Sequence, residues 1–181
     1  DTRQIFLKRR KELRAIYSYI RQKKQWNDFE KLYMQLYGDC MKEADAALSE
    51  LNQFDFDGLR KKALDERTLC HGDFNYHQVI LNRKYTAVVN FDKMHYDIQV
   101  KDLGTMIMDT YLSVRTLSEE ERRVLYAMLT FPEKFWKISN RYYNSRKSWI
   151  SSVNYDKLCH FKKTSGQRQD FLNTFKYAFI F

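Results

Sequence analysis

"HGDFNYHQVILNRKYTAVVNFDKMHYDIQVKDL", residues 71–103, decides how the rest of the chain is read. It opens on His71, Gly72 and Asp73, and five residues past the aspartate stands Gln78. Two short β-type runs follow, "QVILN" and "TAVVNF", separated by "RKY", and they predict a small hairpin. At its far end come Asn90, Phe91 and Asp92, and then "VKDL" with Asp102. The polar residues that could do chemistry are thus gathered at the two ends of one hairpin. A bare H-G-D would carry little weight, since Asp73 could cap a turn beside Gly72 and His71 could satisfy buried carbonyls. The hairpin and the N-F-D behind it make the combination more specific.

The flanking sequence is helical. Ile5, Phe6, Leu13, Ile16, Tyr17 and Ile20 recur at the spacing of one helix face over residues 3 to about 25. Asn27 or Asp28 then supplies an N-cap for "DFEKLYMQLYGDCMKEADAALSEL", so two long antiparallel helices are expected in the first third. "NQFDFDGLRKKALDERT" reads as a turn and a short helix. Beyond the hairpin, "VKDLGTMIMD" is helical again, and "SEEERRVLYAMLTF" begins at a capping box from Ser118 to Glu121. "PEKFWKISNRYYNSRKSWI" places Pro132 at a first helical position, and a last amphipathic helix runs through "QDFLNTFKYAFIF". The 181 residues contain one Pro and five Gly, too few breaks for an all-β chain full of tight turns. The expectation is a single domain over 1–181, mainly α, with one small central β-hairpin.

Hydrophobic residues make up 44% and aromatic residues 16%, a packed composition and not a disordered one. The net charge of +9 raises nucleic acid as a partner, but the Lys and Arg are spread at helical spacing in segments such as "LKRRKELR" and "IRQKK". That pattern reads as a solvated face, and no zinc-finger spacing, glycine-aromatic strand motif or basic heptad region is present. No nucleic-acid partner is expected. No apolar run reaches membrane-spanning length and no signal peptide opens the chain, so a protein made and kept inside the cell is expected. Cys40, Cys70 and Cys159 are too few and too irregularly spaced for a zinc site or a disulfide framework.

In protein kinases a loop of the form H-R-D-x-x-x-x-N carries an Asp that accepts the proton of the attacking hydroxyl and an Asn that holds Mg²⁺. A second Asp, beyond a following hairpin, chelates the metal that bridges the phosphates. Two carboxylates on adjacent loops, held at a set distance by a hairpin, are what that chemistry needs. His71-Gly72-Asp73 and Asn90-Phe91-Asp92 have the same order, spacing and local structure.

On "CHGDFNYHQVIL" (70–81), "VVNFDKMHYDIQVKDL" (88–103) and "FPEKFWKISNRYYNS" (131–145), the chain resembles the CotS-type spore coat proteins. These belong to the aminoglycoside phosphotransferase and choline kinase superfamily. The resemblance spans roughly residues 1 to 160 and is densest from 69 to 103. It implies the C-terminal, largely helical lobe of a kinase-like fold, from a spore-forming bacterium. The family's N-terminal lobe, with its β-sheet, nucleotide-binding lysine and most of the adenine pocket, has no counterpart here, so a portion of a longer protein is expected.

The resemblance also implies roles. Asp73 falls on the catalytic base and His71 on the loop histidine that buttresses it. Gln78 stands where the superfamily places its metal-binding Asn, and keeps the amide oxygen one methylene further out. Asn90 stands where active members carry the chief Mg²⁺ aspartate, and an amide has no charge to give the metal. Asp92 remains as a substitute ligand, and Asp102 falls on a carboxylate that braces the loop from the next helix. The expected cofactors, ATP and Mg²⁺, would need the N-terminal lobe. Two departures at metal positions point to a weakened or lost site and a structural or binding role. The alternative is an active ATP-dependent kinase of a small-molecule hydroxyl. Other spore coat proteins are the expected partners, first in the mother-cell cytoplasm and then in the coat. Between "KDL" and "SEEE" the family carries a longer passage, which implies a deletion or a missing stretch around 104–118.

Bland alternatives stand beside these readings. His77 and His95 with Asp92 or Asp97 could form a metal set, but no pair lies four apart on a predicted helix. Trp136, Tyr142, Tyr143 and Trp149 read as core and cleft residues rather than a base-stacking platform. Cys70 reads as a small buried hydrophobe rather than a nucleophile.

Overall fold

A computed structural model describes residues 1–103, 116–144 and 150–179. Most of the passage singled out at 104–118, as well as Trp149, lies outside the described residues. The chain gathers into two compact units, one of residues 1–49 and 130–179, the other of residues 50–129.

The first unit is helical. α1 (Thr2–Arg21) is capped by Asp1, whose carboxylate accepts from the Arg3 N–H at 2.8 Å. α2 (Asp28–Leu51) starts where the sequence places it, and Asn27 is its cap. Asn27 Oδ1 accepts from the Glu30 N–H at 3.0 Å while Glu30 Oε2 accepts from the Asn27 N–H at 3.0 Å, a reciprocal box that satisfies two orphan donors. Lys23 pairs with Glu30, Tyr17 stacks on Tyr37, and Arg10 pairs with Asp45. These contacts step down one helix as they climb the other, so the two helices are antiparallel.

Two later helices complete the unit. The first, Glu133–Asn144, begins one residue after Pro132, whose carbonyl accepts from the Trp136 N–H at 3.0 Å. The second runs Ile150–Phe179, much longer than the last helix expected from Gln169 onward. Its first half and middle carry Asn154, Thr164, Ser165 and Gly166, which are weak helix formers. Packing overrides that preference. Asn154, Leu158 and Phe161 stand at i, i+4 and i+7 and all three are buried. Thr164 and Ser165 turn their hydroxyls back onto the carbonyls of His160 and Lys162, at 3.0 and 2.7 Å. The core of this unit joins Leu13 and Ile20 to Tyr33, Phe135, Leu158 and Phe161. Trp136, Tyr142 and Tyr143 pack against it, as the sequence reading expects. Cys40 is buried there, and burial pushes its thiol well above the ordinary value.

The second unit holds the short elements. α3 (Phe56–Asp65) is capped by Asp55, which accepts from the Gly58 N–H at 2.9 Å. The hairpin is present as β2 (Val79–Leu81) and β3 (Thr86–Val88), in register Val79↔Val88, Ile80↔Ala87 and Leu81↔Thr86. A second antiparallel pair lies outside the expected single hairpin. β1 (Leu69–Cys70) pairs with β4 (His95–Tyr96), Leu69 against Tyr96 and Cys70 against His95. Strands of two residues carry no readable period, and this pair went unforeseen. Val100–Leu103 forms one helical turn, and the helix Glu119–Thr130 starts at the capping box. Glu121 Oε2 accepts from the Ser118 N–H at 2.9 Å, and Ser118 Oγ accepts from the Glu121 N–H at 3.1 Å.

Candidate functional site

The two small ladders place the loop residues. β1 ends at Cys70, so His71 leaves a strand whose partner, β4, begins at His95 just past the far loop. The start of the H-G-D loop and the end of the N-F-D-K loop are therefore held side by side. The crossing is close. Gly72 has φ +81°, and a Cβ on it would lie 2.3 Å from the Lys93 carbonyl oxygen and 3.0 Å from His95 Nδ1. Only glycine fits both that backbone and that space.

Asp102 binds the loop from the helical turn. Its carboxylate accepts from the His71 N–H at 2.6 Å and from the Gly72 N–H at 3.0 Å. Charge-assisted bonds of this kind are short and strong. The His71 ring, itself buried, bridges the two loops. Nε2 lies 2.9 Å from the Val89 carbonyl and Nδ1 accepts from the Asp73 N–H at 3.3 Å, so the partners assign Nε2 as the donor. Phe74 and Phe91 flank it, with ring centroids at 5.6 and 4.9 Å.

Asp73 is brought to the surface of this scaffold, its side chain 45% exposed. Asn75 shapes the chain behind it, donating to the Asp73 carbonyl at 2.8 Å and accepting from the His77 N–H at 3.0 Å. Gln78 and Asn90, both standing at metal-type positions, are joined to each other. Asn90 Nδ2 donates to Gln78 Oε1 at 2.5 Å, and Asn90 holds a left-handed backbone with φ 64°. Asp92 is exposed on the 3₁₀ turn Phe91–Lys93.

Lys93 is the residue that sequence reasoning passed over. Its ammonium sits 2.6 Å from Asp73 Oδ2, 20 residues away in sequence. The signal was available in the string N-F-D-K, but a lysine next to an exposed aspartate usually reads as surface.

Mg²⁺ wants oxygen ligands with charge, in near-octahedral geometry. Of the candidate donors, Gln78 and Asn90 are neutral, and the Gln78 oxygen already takes a hydrogen bond from Asn90. Among the described residues no three His, Cys, Asp or Glu side chains come together as a metal-binding group. Among Gln78, Asn90 and Asp92, only Asp92 brings a charge to the set. His95 approaches Asp97 at 3.9 Å, but that contact belongs to another cluster.

Asp97 is the charged centre beneath the loops. It is buried, bonded to Lys101 Nζ at 2.5 Å and to its neighbour's Ile98 N–H at 2.8 Å, with Arg60 Nε at 3.8 Å. Its backbone is tied to Thr68, N–H to carbonyl at 3.1 Å and hydroxyl to carbonyl at 2.9 Å. Burial pushes its carboxyl up, but the Lys101 bond, the Ile98 N–H and the charges of Lys101 and Arg60 outweigh it and hold the group below the ordinary aspartate value. A lowered folded value means that the stabilisation is present above the unfolded value, near ~3.9, and is lost as pH falls through the folded one. Asp97→Asn is expected to cost about 2 kcal/mol at neutral pH. That difference should shrink in acid, and melting curves between neutral pH and pH ~2 read it. Parallel curves for both proteins across that range would remove Asp97 from the acid sensitivity. Cys70, one residue before the loop, has its thiol pushed up to about 11 by burial with Asp102 and Asp97 nearby, which makes it a poor nucleophile at neutral pH.

The excess of basic residues lies in the first unit; the unit that carries the loops has more Asp and Glu than Lys and Arg. Among the described residues no helix is long and apolar enough to cross a membrane.

A mainly helical lobe with two small strand pairs, and an H-G-D loop braced by a downstream aspartate, is the C-terminal lobe of a phosphotransferase fold. The solved aminoglycoside phosphotransferase from Alicyclobacillus acidocaldarius has the same fold, with a TM-score of 0.88 at 17% sequence identity over 98% of this chain. This chain spans 58% of that protein's length. The family described as "Spore coat putative kinase YutH" matches residues 3–175, and the chain belongs to that family. No curated protein sequence matches it significantly.

Proposed function

We propose that this chain is the helical lobe of a spore coat protein in which the phosphotransferase metal site is degenerate, and in which the fold serves as a binding or assembly module in the coat. The observation that carries this reading is the Gln78–Asn90 amide pair. It stands where the family resemblance puts two Mg²⁺ ligands, it brings no charge to a metal, and it commits the Gln78 oxygen to an internal hydrogen bond. The Asp73–Lys93 ion pair supports it further, because the residue in the place of the catalytic base already has a cation beside it. The spore coat family membership supports a location in the coat and other coat proteins as partners.

A second reading keeps the site active. The Asp102 bonds and the His71 bridge hold Asp73 at the surface, where a base would meet a substrate hydroxyl. In that reading Asp73 takes the proton of a small-molecule hydroxyl as the ATP γ-phosphoryl group is transferred, and Asp92 with Gln78 or Asn90 would hold Mg²⁺.

A thermal-shift titration of the full-length protein with ATP separates the two. The degenerate site predicts no greater rise in melting temperature with Mg²⁺ than with EDTA. A rise that needs Mg²⁺, and that disappears in an Asp73→Asn, Asp92→Asn double variant, would restore the kinase.

A further inference from the structure

We propose that Lys93 takes the place of the divalent cation in this loop, making it a magnesium-independent site for a di- or triphosphate anion. The inference rests on the degenerate reading above and goes one step past it, from what the site has lost to what it has gained.

Three observations meet at this residue. The Lys93 ammonium lies 2.6 Å from Asp73 Oδ2, at the carboxylate where the resemblance puts the reacting hydroxyl. The metal-type positions beside it carry neutral amides bonded to each other. Among Asp73, Asn90, Asp92 and Lys93 the charges are therefore two negative and one positive, a net of one negative charge, the same net that three carboxylates, with aspartate in place of Asn90 and no lysine, would have around a dication. The third observation is how firmly the lysine is placed. Its carbonyl lies 2.8 Å from His95 Nδ1 and is crossed by the left-handed backbone of Gly72, at a distance no side chain would allow. The backbone of Lys93 is thus built into the crossing of the two loops, while its side chain stays 65% exposed.

An ammonium has three donors and no acceptor. One is given to Asp73 in this structure, which leaves the others for phosphate oxygens arriving from solvent. An ammonium beside a carboxylate can bridge that carboxylate to an anion much as a metal would, with weaker charge and looser geometry.

The test is calorimetric titration of the full-length protein with ATP and, separately, inorganic pyrophosphate, each in EDTA and in Mg²⁺. The expected result is the same affinity in both buffers to within about twofold, a loss of about tenfold or more in Lys93→Met, and most of the affinity retained in Lys93→Arg. Because the ion pair is exposed, Lys93→Met should melt close to the unaltered protein, so lost binding is not lost folding. Binding in EDTA that survives Lys93→Met overturns the assignment. No binding in either buffer overturns it too, while the degenerate reading stands. Binding that appears only with Mg²⁺, at full strength in Lys93→Met, overturns both.

Discussion

Phe135→Ala should lower the stability of the unit formed by residues 1–49 and 130–179 by about 3–5 kcal/mol. Phe135 is fully buried and its ring stacks on Tyr33, with centroids 4.9 Å apart, and lies 5.9 Å from that of Phe161. Those two partners come from two other helices, so truncation opens a cavity that no single side chain can turn to fill. Tyr33 is also fixed, because its hydroxyl donates to the Leu13 carbonyl at 2.8 Å. A ring held at both ends cannot collapse into the gap. Urea denaturation would show the midpoint falling with an unchanged slope. A loss below about 1 kcal/mol would mean the helices close up after all, and that the described packing is not what holds them.

Gly72→Ala is expected to cost roughly 2–5 kcal/mol, from a left-handed backbone unsuited to alanine plus overlap with a neighbouring chain. The overlapping atom is the Lys93 carbonyl oxygen, which is backbone and cannot swing aside like the end of a side chain. Either the H-G-D loop or the N-F-D-K loop must shift, and a shift of either strains the Asp102 bonds to His71 and Gly72. Amide hydrogen exchange at residues 71–73 should speed up in the variant. Gly166→Ala supplies the contrast. No atom lies within 4 Å of its would-be Cβ, and it sits within the long last helix, so alanine there should stabilise by about 0.5–1 kcal/mol. If Gly72→Ala were as harmless, the loop crossing would be looser than described.

Much of this arrangement could be read from the residues. The start of α2 was legible from an N-cap residue at Asn27 or Asp28, and the start of the helix at Glu119 from the spacing of the Ser118–Glu121 box. The hairpin was legible from β-branched runs on either side of "RKY". The β1–β4 pair was not, since two-residue strands are defined by their partner and not by their own sequence. The long last helix was hidden by serine, threonine and glycine, whose local preferences lose to burial of Leu158 and Phe161. At the candidate site, a sequence motif indicates residue types but not pairings. The string H-G-D gives no hint that Asp73 would meet Lys93, or that Gln78 would be held by Asn90. Both are contacts across the hairpin, and they depend on its register.

The two fully buried thiols give each unit its own gauge. Cys40 lies in the first unit and Cys70 in the second, and burial keeps both protonated and out of reach at neutral pH. A thiol-specific reagent can modify them only when the surrounding structure opens, so the rate of modification measures the free energy of that opening. With the partly exposed Cys159 changed to serine, two rates remain, one for each unit. Equal rates would mark a protein that opens as a whole. Unequal rates would show which half gives way first when the chain is heated, strained or incorporated into a larger assembly.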